Sequence, residues 1–167
     1  PGLSSVEAIV AEGGVDITTS QNVASVTLYT VQEGRSLTLL ATQADGKAIE
    51  GEGTVTVTAL EDAADADLSS LAADLTVDAA LDSTGDVSLS ADLSTLDTLD
   101  ITGSGTVTST ATLNAGLTIT VGDGSTLSLA AAAAAEVVGI TGTGTGAVTV
   151  TALHATRDCL LYTSDAA

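Results

Sequence analysis

The side chains best placed to do chemistry in this sequence are carboxylates beside glycine turns: Asp45-Gly46, Asp82 with Gly85-Asp86, and Gly122-Asp123-Gly124. Carboxylate oxygens at turns are the ligands Ca²⁺ takes, but a site needs roughly six to eight oxygens converging on one point. The nine-residue calcium repeat Gly-Gly-x-Gly-x-Asp-x-apolar-x does not occur. An aspartate at a turn also has a simpler use, accepting a hydrogen bond from nearby backbone. A Ca²⁺-binding extracellular repeat module is thus an alternative reading, and no residue is assigned as a metal ligand.

Catalytic inventories are thin. Acid pairs such as Glu61-Asp62 and Asp65 with Asp67 could act as glycosidase carboxylates only if a cleft set two of them across a sugar. A polysaccharide-active enzyme fragment is the second alternative. His154 is the only histidine and has no partner motif that would make it a general base. Serines and threonines are many, but none sits in a nucleophile elbow. The expectation is a protein that is not an enzyme, with no catalytic and no cofactor-binding residue.

Hydroxyls offer another possibility. Thr54, Thr56 and Thr58, then Thr106, Thr108 and Thr110, then Thr149 and Thr151 could form a flat array of the kind ice-binding solenoids use. Threonine is common on any exposed strand face, because β-branching suits the pleat.

The elements that would position these groups recur. Ser36-Leu37-Thr38-Leu39, Ala41 to Ala48, Ile49-Glu50-Gly51-Glu52-Gly53 and Thr54 to Thr58 form one copy. A second runs from Asp86-Val87-Ser88-Leu89 through Ile101-Thr102-Gly103-Ser104-Gly105 to Thr106-Val107-Thr108. The third runs from Thr126-Leu127-Ser128-Leu129 through Ala130 to Val138, then Ile140-Thr141-Gly142-Thr143-Gly144, to Val148-Thr149-Val150. Each copy is strand, alanine- or aspartate-rich bend, Ile-x-Gly-x-Gly, strand. Leu37 and Leu39, like Val55 and Val57, share one strand face because side chains alternate.

A leucine pattern adds a period. Leu68 to Leu93 and Leu71 to Leu96 are 25 residues apart, and Leu75 to Leu99 and Val77 to Ile101 are 24. That spacing predicts one turn of a solenoid, in which each unit buries its apolar face against its neighbours. The isoleucines of the three copies are unevenly spaced, 52 and then 39 residues apart. Upstream, the apolar patch Val6, Ala8, Ile9, Val10 and Ala11, ended by Gly13-Gly14, reads as short helix or strand, and Val23, Val26, Leu28 and Thr30 compete for an inward face. The six-alanine run Ala130 to Ala135 is too short to stand alone as a helix and reads as a helical turn between strands.

Hydrophobic residues make up 44% of 167, but Phe, Trp and Met are absent and only Tyr29 and Tyr162 are aromatic. Small aliphatic side chains must fill a thin interior, which two facing sheets about 10 Å apart provide. With 22 acidic and 3 basic residues the formal net charge is −19, which repels nucleic acid and anionic lipid. No apolar run approaches the ~18 residues a membrane helix needs. Neither nucleic-acid binding nor membrane insertion is expected.

The copies resemble degenerate repeats of large bacterial surface or secreted proteins of the adhesin or surface-array type, in which Leu-Thr-Leu, Ala-x-Ala-Asp-Gly, Ile-x-Gly-x-Gly and Thr-Val-Thr-Val-Thr recur. The likeness covers residues 26–153. It implies an extracellular or cell-surface location and a mostly structural role, with neighbouring repeats of the same chain, and glycans or host surfaces, as partners. The same Ser36–Val57 text is also similar to the middle strands of bacterial immunoglobulin-like domains, so a β-sandwich is the alternative fold.

Cys159-Leu160-Leu161-Tyr162-Thr163-Ser164-Asp165-Ala166-Ala167 resembles, residue for residue, a frame translation of the transposon end and adapter of tagmentation sequencing libraries. On that resemblance residues 159–167 are a non-native tail of a metagenomic fragment, and the only cysteine carries no thiol chemistry. The organisation expected is a partial unit over 1–25, a repetitive segment over 26–158, and the tail. The fold expected is all-β, a right-handed parallel β-solenoid with a short helical bend. Its core is Leu37, Leu39, Val55, Val57, Leu75, Val77, Val87, Leu89, Ile101, Val107, Leu117, Ile119, Leu127, Leu129, Ile140, Val148 and Val150.

Overall fold

Alternating Val/Thr and Leu/Ser text forms strands, and every strand pairing among the described residues is parallel. The computed structural model describes residues 8–18 and 23–151. Sheet I contains β1 (Ala8–Ala11), β3 (Leu28–Val31) and β5 (Ala48–Gly51). Sheet II runs the length of the stack. Its order is β2 (Gly14–Asp16), β4 (Ser36–Leu40), β6 (Thr54–Thr58), β7 (Thr76–Ser83), β10 (Thr98–Gly103), β13 (Thr118–Val121) and β15 (Gly139–Gly142). One strand per turn gives about seven turns. Sheet III joins β8 (Val87–Leu89), β11 (Thr106–Ser109), β14 (Thr126–Ala130) and β16 (Ala147–Thr151), while β9 (Asp92–Leu93) pairs with β12 (Thr112–Leu113). Parallel strands stacked this way are a β-solenoid, and the sandwich alternative, which rests on antiparallel sheets, falls.

Register shows which residues are equivalent. Leu39, Val57, Ala79, Leu99, Ile119 and Ile140 form one continuous inward column of sheet II. Val87, Val107, Leu127 and Val148 form another in sheet III. Burying an aliphatic side chain of this size contributes about 1.5–3 kcal/mol, so short side chains repeated along an axis replace the large rings the composition lacks.

The turn length differs from the leucine pattern. Thr98 pairs with Asp78 and Thr118, a spacing of 20 residues, and Ser36 with Thr54, a spacing of 18. A spacing of 25 occurs at the bridge Asp67 to Asp92, beside Leu68 and Leu93. Val77 pairs with Val55 rather than Ile101, and Ile101 with Leu81. The uneven spacing of the three isoleucines follows: Ile49 lies in sheet I, Ile101 and Ile140 lie in sheet II, and Ile140 is in register with Leu99. Each sequence copy is one full turn whose first and last strands stack, β4 on β6, β8 on β11, β14 on β16.

Two helical turns, α1 (Ala41–Ala44) and α2 (Ala131–Ala134), follow β4 and β14, where the alanine-rich bends of the first and third copies lie. Ala8–Ala11 is strand. In β3 the inward residues are Tyr29 and Val31, both fully buried, while Leu28 and Thr30 are half-buried; Val23 and Val26 are buried before the strand. Of the expected core, Val87, Ile140, Val148 and Val150 are only half-buried. The last three belong to β15 and β16, which have a neighbouring turn on one side among the described residues.

Candidate functional site

Of the carboxylates beside glycine turns, Asp82 lies within β7 in register with Thr102, whereas Asp45, Asp86 and Asp123 sit at the corners of the solenoid, where the chain leaves one sheet for the next. There they reach the backbone of an adjacent turn. The Asp45 carboxylate accepts the Asp67 amide at 2.9 Å, Glu61 accepts the Asp82 amide at 2.9 Å, and Asp86 accepts the Thr106 amide at 3.1 Å. Asp97 accepts the Val77 amide at 2.8 Å. Asp123 accepts the Thr145 amide at 2.8 Å and the Thr145 hydroxyl, and that hydroxyl oxygen accepts the Gly124 amide at 3.0 Å. The partners are 20 to 22 residues apart, one turn of the stack. Val77 and Asp82 lie in β7 and Thr106 opens β11, and at each of these amides a carboxylate supplies a charge-assisted partner.

Other acids act locally. Asp16 accepts the amide and hydroxyl of Thr18, and Asp67 accepts those of Ser69. Hydrogen bonding to the charged form lowers a carboxyl pKa. The Thr18 hydroxyl and then its amide hold Asp16 below the usual carboxylate value, as Ser69 does for Asp67 and Thr145 for Asp123. Among the described residues, no three or more His, Asp, Glu or Cys side chains form a group that could hold a metal. Asp45, Asp86 and Asp123 stand at separate corners and do not converge.

The acid pairs lie on the 3₁₀ helix Leu60–Ala63 and the segment after it. Asp62, Asp65 and Asp67 are exposed and Glu61 is half-buried, with Glu61 and Asp67 already hydrogen-bonded as above. The threonine ladders do not share a face. Thr54, Thr56 and Thr58 belong to sheet II, whereas Thr106, Thr108, Thr149 and Thr151 belong to sheet III. His154, Cys159, Tyr162 and the whole 159–167 tail lie outside the described residues.

The Ile-x-Gly-x-Gly motif also forms corners. Gly51 and Gly103 have φ of +123° and +98°, in the region that favours glycine. A Cβ on Gly51 would collide with the Val31 carbonyl, and one on Gly105 with the Gly85 backbone. The motif lets one turn's corner lie against the corner of the turn before it. The amides of Glu52 and Gly53 donate to the Val31 carbonyl at 3.1 and 3.2 Å.

Gln43 carries no motif and is the polar residue that sequence reasoning missed. Nearly buried on α1, its carboxamide oxygen accepts the Leu40 amide at 2.8 Å and its nitrogen donates to the Ile17 carbonyl at 2.8 Å. The one available signal was a glutamine inside an alanine-rich bend. Tyr29 is the contrary case. Its hydroxyl is buried without a hydrogen-bond partner, and burial pushes its pKa up.

Stacked parallel turns with an aliphatic axial core define a β-solenoid repeat protein. Compared with known proteins, the chain matches no protein-family model, no curated protein and no solved structure.

Proposed function

We propose that this chain is a non-catalytic structural repeat segment, a stalk, shaft or matrix module, of a bacterial surface or secreted adhesin-like protein. The observation that carries the reading is sheet II, a single parallel ladder that passes through every turn from β2 to β15. In such a ladder each turn is held by backbone hydrogen bonds, by a column of aliphatic contacts, and at the corners by carboxylates reaching the next turn. Tension applied along the stack is then shared over many equivalent interfaces, as a shaft requires. In β15 and β16, Ile140, Val148 and Val150 are half-buried, at the last described turn of the stack. The partners on this reading are further repeats of the parent chain, with glycans or host surfaces at its distal end.

Single-molecule stretching of the full chain between its ends tests the mechanical role. Stepwise release in increments of about one 20-residue turn supports it, and extension without measurable resistance sinks it. Melting with and without a chelator, alongside a glycan hydrolysis panel, separates the other classes. A chelator-dependent transition selects the calcium module and turnover selects the enzyme. Residues 159–167 are read as adapter-derived, and a chain ending at residue 158 is expected to melt at the same temperature.

A further inference from the structure

The outward side chains of sheet III form a grid. Thr106, Thr126 and Ala147 are in register, as are Ser88, Thr108, Ser128 and Thr149, and then Ala130 and Thr151. Strands about 4.8 Å apart and outward side chains about 6.6–6.8 Å apart along each strand set its two repeats. The β-branched threonines have few χ1 choices, so hydroxyls and methyls are held at nearly fixed positions. The turn length beneath them is regular, 20 and then 21 residues.

None of these positions is charged, although the chain carries a net −19. The outward face of sheet II, by contrast, carries Asp16, Asp78, Asp82 and Asp100. Within the strands, carboxylates are thus kept off one face and placed on the other; Asp86, exposed just before β8, borders the grid and accepts the Thr106 amide.

A periodic face is complementary to a periodic partner, and the chemistry narrows which one. A second copy of this chain is too poorly held. The four strands of sheet III, three to five residues long, cover roughly 300 Å² at sheet spacings, against about 800 Å² per partner in a stable interface. A mineral surface presenting cations calls for carboxylate oxygens, which sheet III lacks. Sugar rings of a polysaccharide crystal stack on aromatic side chains, and Tyr29, the aromatic residue among those described, is buried. Ordered water suits the grid. Threonine hydroxyls hydrogen-bond to it, methyls restrict the orientation of the first water shell, and no charge within the grid imposes a competing hydration.

We propose that the outward face of sheet III adsorbs to ice through its Ser/Thr grid, independently of the stalk reading. The test uses the full chain in a slowly frozen solution, measuring partition into ice and the shape of growing crystals. The expected result is enrichment in the ice and faceted crystals. Thr108→Tyr, at the grid centre, is expected to lose both, while Thr56→Tyr on sheet II retains them, with melting curves establishing that each variant is folded. If Thr108→Tyr fails to fold, Ser128→Lys takes its place. Exclusion of the unaltered chain from ice, equal loss in the sheet II and sheet III variants, or binding to crystalline cellulose in place of ice overturns the proposal.

Discussion

Gln43 ties two turns together through one side chain, and its removal strands both of its partners. In Gln43→Leu the Leu40 amide and the Ile17 carbonyl lose their bonds in a nearly dry site. Stability is expected to fall by about 1–3 kcal/mol, the cost of leaving buried polar groups unsatisfied, measurable by urea denaturation. Tyr29 points the other way. Its hydroxyl is buried without a partner, so Tyr29→Phe keeps the ring's packing and removes an uncompensated polar atom. That variant is expected to be as stable as the parent or up to about 1 kcal/mol more so, and a clear loss would reveal a partner for the hydroxyl. Sequence reasoning registered Tyr29 only as a scarce aromatic and left Val23, Val26, Leu28 and Thr30 competing for the inward face. The alternation alone fits either phase, and packing against β1 and β5 selected Tyr29 and Val31.

The corners are the elements that decide how the turns stack. Gly51 lies at a φ of +123° with the Val31 carbonyl in the space a Cβ needs. Gly51→Ala is expected to cost about 1–3 kcal/mol in backbone strain and more where the preceding corner must move, whereas Gly34→Ala, with open space around it, pays mainly for its φ of +69°. Comparing their melting temperatures checks that close approach, and not φ alone, sets the requirement. Strands are graded by position as well. Leu99 has turns on both sides and is 1% exposed. Leu99→Ala is expected to cost about 2–5 kcal/mol, and Val148→Ala, half-buried in the last described turn, clearly less in the same assay. Both helical turns were legible, α2 as the alanine run and α1 as the alanine-rich bend at the same place in its copy. Their different burial was not, since α1 packs three buried residues and α2 none, a consequence of where each lies along the stack.

At the scale of the whole molecule, acid carboxylates join stability to pH. Asp16, Asp67 and Asp123 have folded-state pKa values below the ordinary 3.8. Their contribution is complete above that value and is lost as pH falls through the lower folded-state pKa. The melting temperature is therefore expected to hold across neutral pH and drop below about pH 4. Replacing all three by Asn should lower it at pH 7 and flatten the acid limb; an unchanged limb would mean that other groups control acid unfolding.

The amino-acid sequence by itself determined the strands of the three copies with their aliphatic inward faces, the glycine corners, the alanine bends and the solenoid class. All of these follow from alternation and backbone preference within a few residues. Only the tertiary structure decided the 20-residue turn, the separation of the threonine ladders onto two faces, and the use of Asp45, Asp86 and Asp123 as links between turns. Those properties depend on register between residues a full turn apart, and register is set by how corners and columns of side chains pack together. Val/Thr and Leu/Ser text of this kind fits several registers equally well.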